Sequence, residues 1–269
     1  MGQLPWIDEH FRLRNWFYRK FRKANAIVEF AVRHIDEHMQ NQHTQERQSP
    51  DFLSRFQTAK EKYPDVMTRT QMIDYATTNV SAGSDTTAII LRDAIYRLLI
   101  DEQGRLDRLL AEVHDVLKRR VEAGADLGTH ISWTESYNMP FLQACIKESM
   151  RIHPALGQIL PRLVPEGGMT ICGQFLPAGT EVGCNAWTVH RDRSVFGEDV
   201  DVWRPERWLD SDPEAIKEME RLNFVFGGGS RTCETSHSLP LPLSRLILSL
   251  HLCFAWKGNL PHTKTEIQC

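Results

Sequence analysis

The chain has 269 residues, 41% of them hydrophobic and 25% charged, with a net charge of −3. These are ordinary globular proportions, enough for one large domain or two small ones, and they give no sign of a nucleic-acid binder. No run of about 18 or more apolar residues makes a transmembrane helix, and the first residues do not follow the signal-peptide pattern. Six cysteines, at 145, 172, 184, 233, 253 and 269, have neither CxxC spacing nor a compact framework. They point to a reduced, intracellular setting rather than a disulfide scaffold.

Residues 4–47 read as helical and charged, with Ile27, Phe30, Ala31, His34 and Ile35 at helical spacing. Ahead of them, Phe11 to Lys23 mixes aromatics with six Arg and Lys residues. Such a segment lies on a membrane surface or packs as an amphipathic helix on its own domain. Ser49-Pro50-Asp51 starts the next helix, with Phe52, Leu53 and Phe56 as its apolar face, and Tyr63-Pro64 interrupts it. A long helix is predicted from about Thr70 to Leu99. Inside it stands Ala82-Gly83-Ser84-Asp85-Thr86-Thr87, with a glycine that costs about 1 kcal/mol relative to alanine and hydroxyls that compete for backbone hydrogen bonds. Either the helix kinks or forms a pocket there, or it breaks in two with Asp85 or Thr86 as an N-cap; read locally, the residues favour the break.

Gly104 to Ala123 predicts another helix, closed by Gly124, and Ser132-Trp133-Thr134-Glu135 has the form of a capping box. Pro140 opens a helix through Arg151, which Pro154 ends. On it Glu148 and Arg151 share a face. The same Glu-x-x-Arg spacing recurs at Glu9/Arg12, Glu102/Arg105 and Glu218/Arg221, so only its apolar helix context distinguishes this pair. Three short strands are predicted, Ile159 to Val164, Thr170 to Leu176 and Glu181 to Val189, separated by Pro- and Gly-rich turns. Arg193 to Asn223 has little periodicity apart from a short helix near Glu214 to Arg221, and leads into Phe226-Gly227-Gly228-Gly229-Ser230-Arg231-Thr232-Cys233. Three consecutive glycines let the backbone approach something closely, and Arg231 favours the Cys233 thiolate. That loop is a soft-metal ligand site, with haem iron as one use, or else a flexible loop with an inert cysteine.

In order and separation, four of these motifs resemble the C-terminal half of a cytochrome P-450, a haem-thiolate monooxygenase. They are Ala82 to Thr87 (the oxygen-activation helix), Glu148-Ser149-Met150-Arg151, Arg204-Pro205-Glu206-Arg207-Trp208, and Phe226 to Cys233 (the haem-binding loop). Residues 156–208 are similar to fungal members such as the pisatin demethylase-like group. The resemblance implies a partial cytochrome P-450 fold over residues 1–233, mainly α with a small β-sheet region (α+β). It implies haem b (iron protoporphyrin IX) with Cys233 as the iron ligand. Arg231 and Arg162 would pair with its propionates, and Phe226 and Gly229 would border it. Asp85 and Thr86 would handle protons in dioxygen activation, and Glu148, Arg151 and Arg207 would form a structural triad.

The implied partners are a small, lipophilic organic substrate, dioxygen and an NADPH-dependent reductase, with membrane-surface contact through Phe11 to Lys23. Full-length relatives would sit at the endoplasmic reticulum membrane. The family's N-terminal half is expected to be missing, and the match to stop at Cys233. There Thr235 stands for the family's glycine, and Pro240 and Pro242 oppose the helix that should follow. Residues 234–269 are thus expected to be a non-homologous tail of translated intron or frame-shifted sequence. The alternatives to a working monooxygenase are an inactive fragment that binds no haem and a haem-binding protein without turnover.

Overall fold

The computed structural model describes residues 26–40, 51–125 and 132–233. The expectations for Phe11 to Lys23 and for residues 234–269 lie outside these residues. The chain divides into two compact units, residues 1–85 and 86–269. It is mainly helical, with two small two-stranded sheets.

In the first unit, α1 (Ala26–Gln40) buries Ala31 and Ile35, one helical turn apart. Helix α2 (Phe52–Lys62) begins at Asp51, whose carboxylate accepts from the Ser54 N–H at 2.8 Å. It ends at Tyr63, as the following proline requires. Helix α3 (Arg69–Leu99) is one helix of 31 residues. The locally favoured break at Ala82 to Thr87 does not occur. The Ser84 hydroxyl donates to the Val80 carbonyl at 2.6 Å, so it folds back on its own helix instead of capping a new one. A side chain at Gly83 would meet nothing within 4 Å. That glycine costs only its propensity, which a helix of this length absorbs.

The second unit is built around the C-terminal turns of α3 and two helices, α4 (Arg105–Glu122) and α6 (Pro140–Ile152). Ile90, Ala94 and Leu98 pack with Leu109, Val113 and Val116 and with Phe141, Leu142, Cys145 and Ile146. Helix α5 (Trp133–Tyr137) opens on the predicted capping box at Ser132 and Glu135. Helix α6 has no side-chain cap from its own first residues. Glu112 of α4 supplies one: its two carboxylate oxygens accept from the N–H groups of Phe141 and Leu142, both at 2.9 Å. A carboxylate at a helix N-terminus satisfies orphan donors and opposes the positive end of the helix dipole.

Strand β1 (Arg162–Leu163) pairs antiparallel with β4 (Glu181–Val182), and β2 (Met169–Ile171) with β3 (Gln174–Leu176). The single strand predicted over Thr170 to Leu176 is therefore a hairpin. Cys172 (φ 49°) and Gly173 (φ 77°) turn it, with the two positive φ values that a tight two-residue hairpin needs. The strand predicted over Glu181 to Val189 also stops early, because Asn185 caps a short helix, α7 (Ala186–Val189). Beyond it, Asp192 caps α8 (Arg193–Phe196), α9 is Arg207–Asp210, and Asp212 caps α10 (Pro213–Arg221). Phe196, Val200, Trp208 and Met219 close a second cluster against Ala144 of α6.

Leu142 is wholly buried at the centre of this core. Leu142→Ala is expected to destabilise the chain by about 2–5 kcal/mol, read as a lower urea midpoint. An unchanged midpoint would contradict the packing described.

Candidate functional site

The site begins with a buried charge. Glu148 and Arg151 are both 0% exposed and Arg207 is 1% exposed. Arg151 donates to both Glu148 oxygens, at 2.9 and 2.8 Å, in a two-pronged pair. Arg207 Nε donates to Glu148 Oε1 at 3.1 Å. Trp208 Nε1 and the Arg204 backbone N–H complete the carboxylate's partners, each at 2.9 Å. Burial alone would raise the Glu148 pKa; the Arg151 hydrogen bonds, the charges of Arg151 and Arg207, and the Arg204 N–H overcome it and hold the group below the usual range. The remaining guanidinium donors serve the chain between α7 and α9. Arg151 reaches the carbonyls of His190, Val200 and Val202. Arg207 reaches those of Phe196, Asp199 and Val202, and the Asp199 carboxylate. Hydrogen bonds and charge from Arg204 and Arg207 keep Asp199 ionised well below the normal carboxylate range.

The resemblance implied a Glu148, Arg151 and Arg207 triad, and the structure brings these three together. The look-alike spacings differ. Glu218 and Arg221 pair on an exposed surface, and Arg105 bonds Asp101 and Glu206. Glu9/Arg12 lies outside the described residues.

His190 was not among the expected site residues. It is fully buried at the end of α7. Its Nε2 accepts from the Phe224 N–H at 2.9 Å, and its Nδ1 lies 3.0 Å from the Arg151 carbonyl oxygen. Accepting at Nε2 places the ring proton on Nδ1, which donates to that carbonyl. Burial pushes its pKa down to about 4; the Arg151 carbonyl opposes this, and the charges of Arg151 and Arg191 reinforce it.

The glycine loop follows directly. Phe224–Phe226 and Gly229–Arg231 are short 3-10 turns, and Gly227 (φ 74°) between them takes a left-handed conformation. The Cys233 N–H donates to the Phe226 carbonyl at 2.8 Å, which folds the loop back on itself and leaves Cys233 exposed. Gly227, Gly228 and Gly229 line a cavity of about 450 Å³ whose other walls include Leu160, Arg162 and Val182. A Cβ at Gly227 would stand an ordinary 3.5 Å from Leu160, so the left-handed backbone rather than a lack of space calls for glycine there.

Cys233 and Arg231 are not among the residues that line this cavity, but in residue type the loop suits a haem. Cys233 offers one soft ligand, the glycines a close-lying backbone, and Arg162 and Arg231 two cations. Among the described residues no group of three His, Cys, Asp or Glu could hold a bare metal ion, whereas haem iron needs a single thiolate from the protein. Asp85 is exposed and Thr86 half-buried on α3. None of the four described cysteines is in a disulfide, and no helix among the described residues is long and apolar enough to cross a membrane.

The helical fold with small sheets, the buried Glu-Arg-Arg network and the cysteine at the end of a glycine loop have the arrangement that the likeness to haem-thiolate proteins implied. The family profile described as Cytochrome P450 matches residues 3–234. The chain belongs to the cytochrome P450 family. It is 40% identical over 252 residues to cytochrome P450 monooxygenase cicH of Emericella nidulans, covering 93% of this chain and 49% of the relative. An Aspergillus terreus cytochrome P450 monooxygenase is 37% identical, over 92% of this chain and 50% of that protein. Pisatin demethylase of Fusarium vanettenii is 41% identical over 173 residues, 63% of this chain and 30% of its own length. The chain thus spans about half the length of the first curated relatives it matches.

Two outcomes are expected from this network. Glu148→Gln removes the charge facing two buried guanidinium groups and should cost about 3–5 kcal/mol in urea denaturation; a loss below about 1 kcal/mol would contradict the pairing. The second concerns acid. Below about pH 6.5 the unfolded chain protonates at His190, while the folded chain resists this down to about 4. The depressed Glu148 pKa acts in the same direction at lower pH. Stability conferred by both groups is present at neutral pH and lost as pH falls. His190 contributes on the order of 3 kcal/mol of that loss between about pH 6.5 and 4. A urea midpoint that stays flat over this window would refute the assignment.

Proposed function

We propose that the chain forms the haem-holding part of a monooxygenase that inserts one atom of dioxygen into a small, lipophilic organic substrate. The other oxygen atom leaves as water, with two electrons from an NADPH-dependent reductase and two protons. One observation carries the reading: Cys233 ends a loop whose glycines wall a cavity shared with Arg162. The names of the fungal relatives, monooxygenases and a demethylase of pisatin, favour a small organic substrate.

Haem b, when bound, supplies the dioxygen chemistry. In this reading the Cys233 thiolate would ligate the iron. Arg231 and Arg162 hold the propionates by charge-assisted hydrogen bonds, and Phe226 and Gly229 border the ring. Glu148, Arg151 and Arg207 keep the loop's supporting chain in place. Asp85 and Thr86 carry protons towards the oxygen, a role that rests on the match of Ala82 to Thr87 to the family's motif. We also propose that Phe11 to Lys23 touches a membrane surface, that of the endoplasmic reticulum as expected for full-length relatives.

The test is spectroscopic. The chain, expressed with haem, reduced and exposed to carbon monoxide, is expected to give a thiolate-type Soret shift. Cys233→Ser should abolish that shift while leaving the unfolding free energy of the haem-free chain, measured in urea, within about 0.5 kcal/mol, because the side chain is exposed. Absence of haem uptake by the unaltered chain would overturn the reading in favour of an inactive fragment. A thiolate-type spectrum without turnover of any substrate by a supplied reductase would favour a haem-binding protein.

A further inference from the structure

We infer that His190 is a positioning residue for the haem-binding loop: it ties the loop's first turn to the end of the helix that carries Glu148 and Arg151. The inference rests on the haem-thiolate reading of Cys233 for its function, but its geometry stands without it.

The linkage is a continuous run of hydrogen bonds. The Arg151 carbonyl accepts from His190 Nδ1 at 3.0 Å, and His190 Nε2 accepts from the Phe224 N–H at 2.9 Å. Phe224 opens the turn that precedes the glycines, and its carbonyl accepts from Gly227 N–H at 3.0 Å. The carbonyl of Phe226, in the same turn, accepts from the Cys233 N–H at 2.8 Å. Fixing Phe224 thus fixes the frame against which the ligand's own backbone is held. The first amides of a helical turn lack a partner within it, so this donor depends on an outside acceptor.

The ring itself is locked from the other side. Arg151 Nη1 donates to the His190 carbonyl at 2.9 Å, so residue and helix grip each other twice. Phe196 meets the ring edge-on with centroids 6.2 Å apart. A histidine suits the position because one rigid ring presents a donor on one edge and an acceptor on another. Asparagine and glutamine carry both functions at one end of the side chain. Asparagine places its amide near the Nδ1 position, and glutamine near Nε2. The two substitutions therefore separate the two halves of the link.

The experiment compares the unaltered chain with His190→Gln and His190→Asn by hydrogen exchange at the Phe224 amide and by the carbon monoxide spectrum of haem-loaded protein. Amides of Leu142 to Ile146 in α6 report the folded core. His190→Asn is expected to speed exchange at Phe224 roughly tenfold relative to those core amides and to lower the thiolate-type fraction of the spectrum. His190→Gln, which keeps an acceptor for Phe224, should stay near the unaltered chain in both. Equal losses in the two variants, acceleration at Phe224 no greater than in the core, or full protection in His190→Asn would each overturn the proposal. If the unaltered chain takes up no haem, the reading of Cys233 fails on its own, while exchange at Phe224 still decides the role of His190.

Discussion

A carboxylate without water must be surrounded by donors, and Glu148 shows what that demand does to a chain. Its two oxygens take five hydrogen bonds, from Arg151, Arg207, Trp208 and the Arg204 backbone. Each arginine then carries surplus donors that must also be met, because a buried unpaired N–H is costly. They are met by the carbonyls of a segment with little regular structure of its own. The route from α7 to α9 is therefore dictated by the charge network rather than by a backbone ladder. Replacing any one member leaves the others buried and unmatched, so the network behaves as a unit.

The second consequence is reach. Helix α6 is the most buried element, and the network and His190 extend its rigidity outward to a loop that is exposed and glycine-rich. A loop of that composition has many backbone conformations available to it. Tethering its first amide to the core restricts them at one end. The turn hydrogen bonds from Gly227 and Cys233 carry the restriction along the loop. Flexibility needed for close approach to a flat group and order needed to aim a thiolate are thereby divided between neighbouring residues.

Much of this was legible in the sequence, and the exceptions have physical reasons. The helices announced themselves by apolar period and, at Ser132, by a capping box, whereas the helix expected to have Pro50 near its first turn is capped by Asp51 instead. The residues of the charge triad were legible as a likeness to a family motif, although Glu-x-x-Arg spacing alone marks exposed pairs such as Glu218/Arg221 equally well. The role of His190 was not legible: both of its partners are backbone groups, 39 and 34 residues away, and a backbone partner leaves no letter to read. The long helix over Thr70 to Leu99 is legible from its apolar spacing, and only the locally favoured break at Ala82 to Thr87 fails, because the competing hydroxyl of Ser84 settles on its own helix. The hairpin at Cys172 and Gly173 reads as one strand because a two-residue turn barely interrupts the sequence pattern.

Glu112 links α4 to the first turn of α6 across 29 residues of chain. Axial sliding of α6 would pull its first amides away from that carboxylate, while the far end of the same helix is gripped by the carbonyls around His190 and Val200. The helix bearing Glu148 is thus seated like a beam with both ends built in. Its position is defined by distant side chains and carbonyls, with the Ser136 carbonyl, which accepts from Gln143 Nε2 at 2.9 Å, holding its near side.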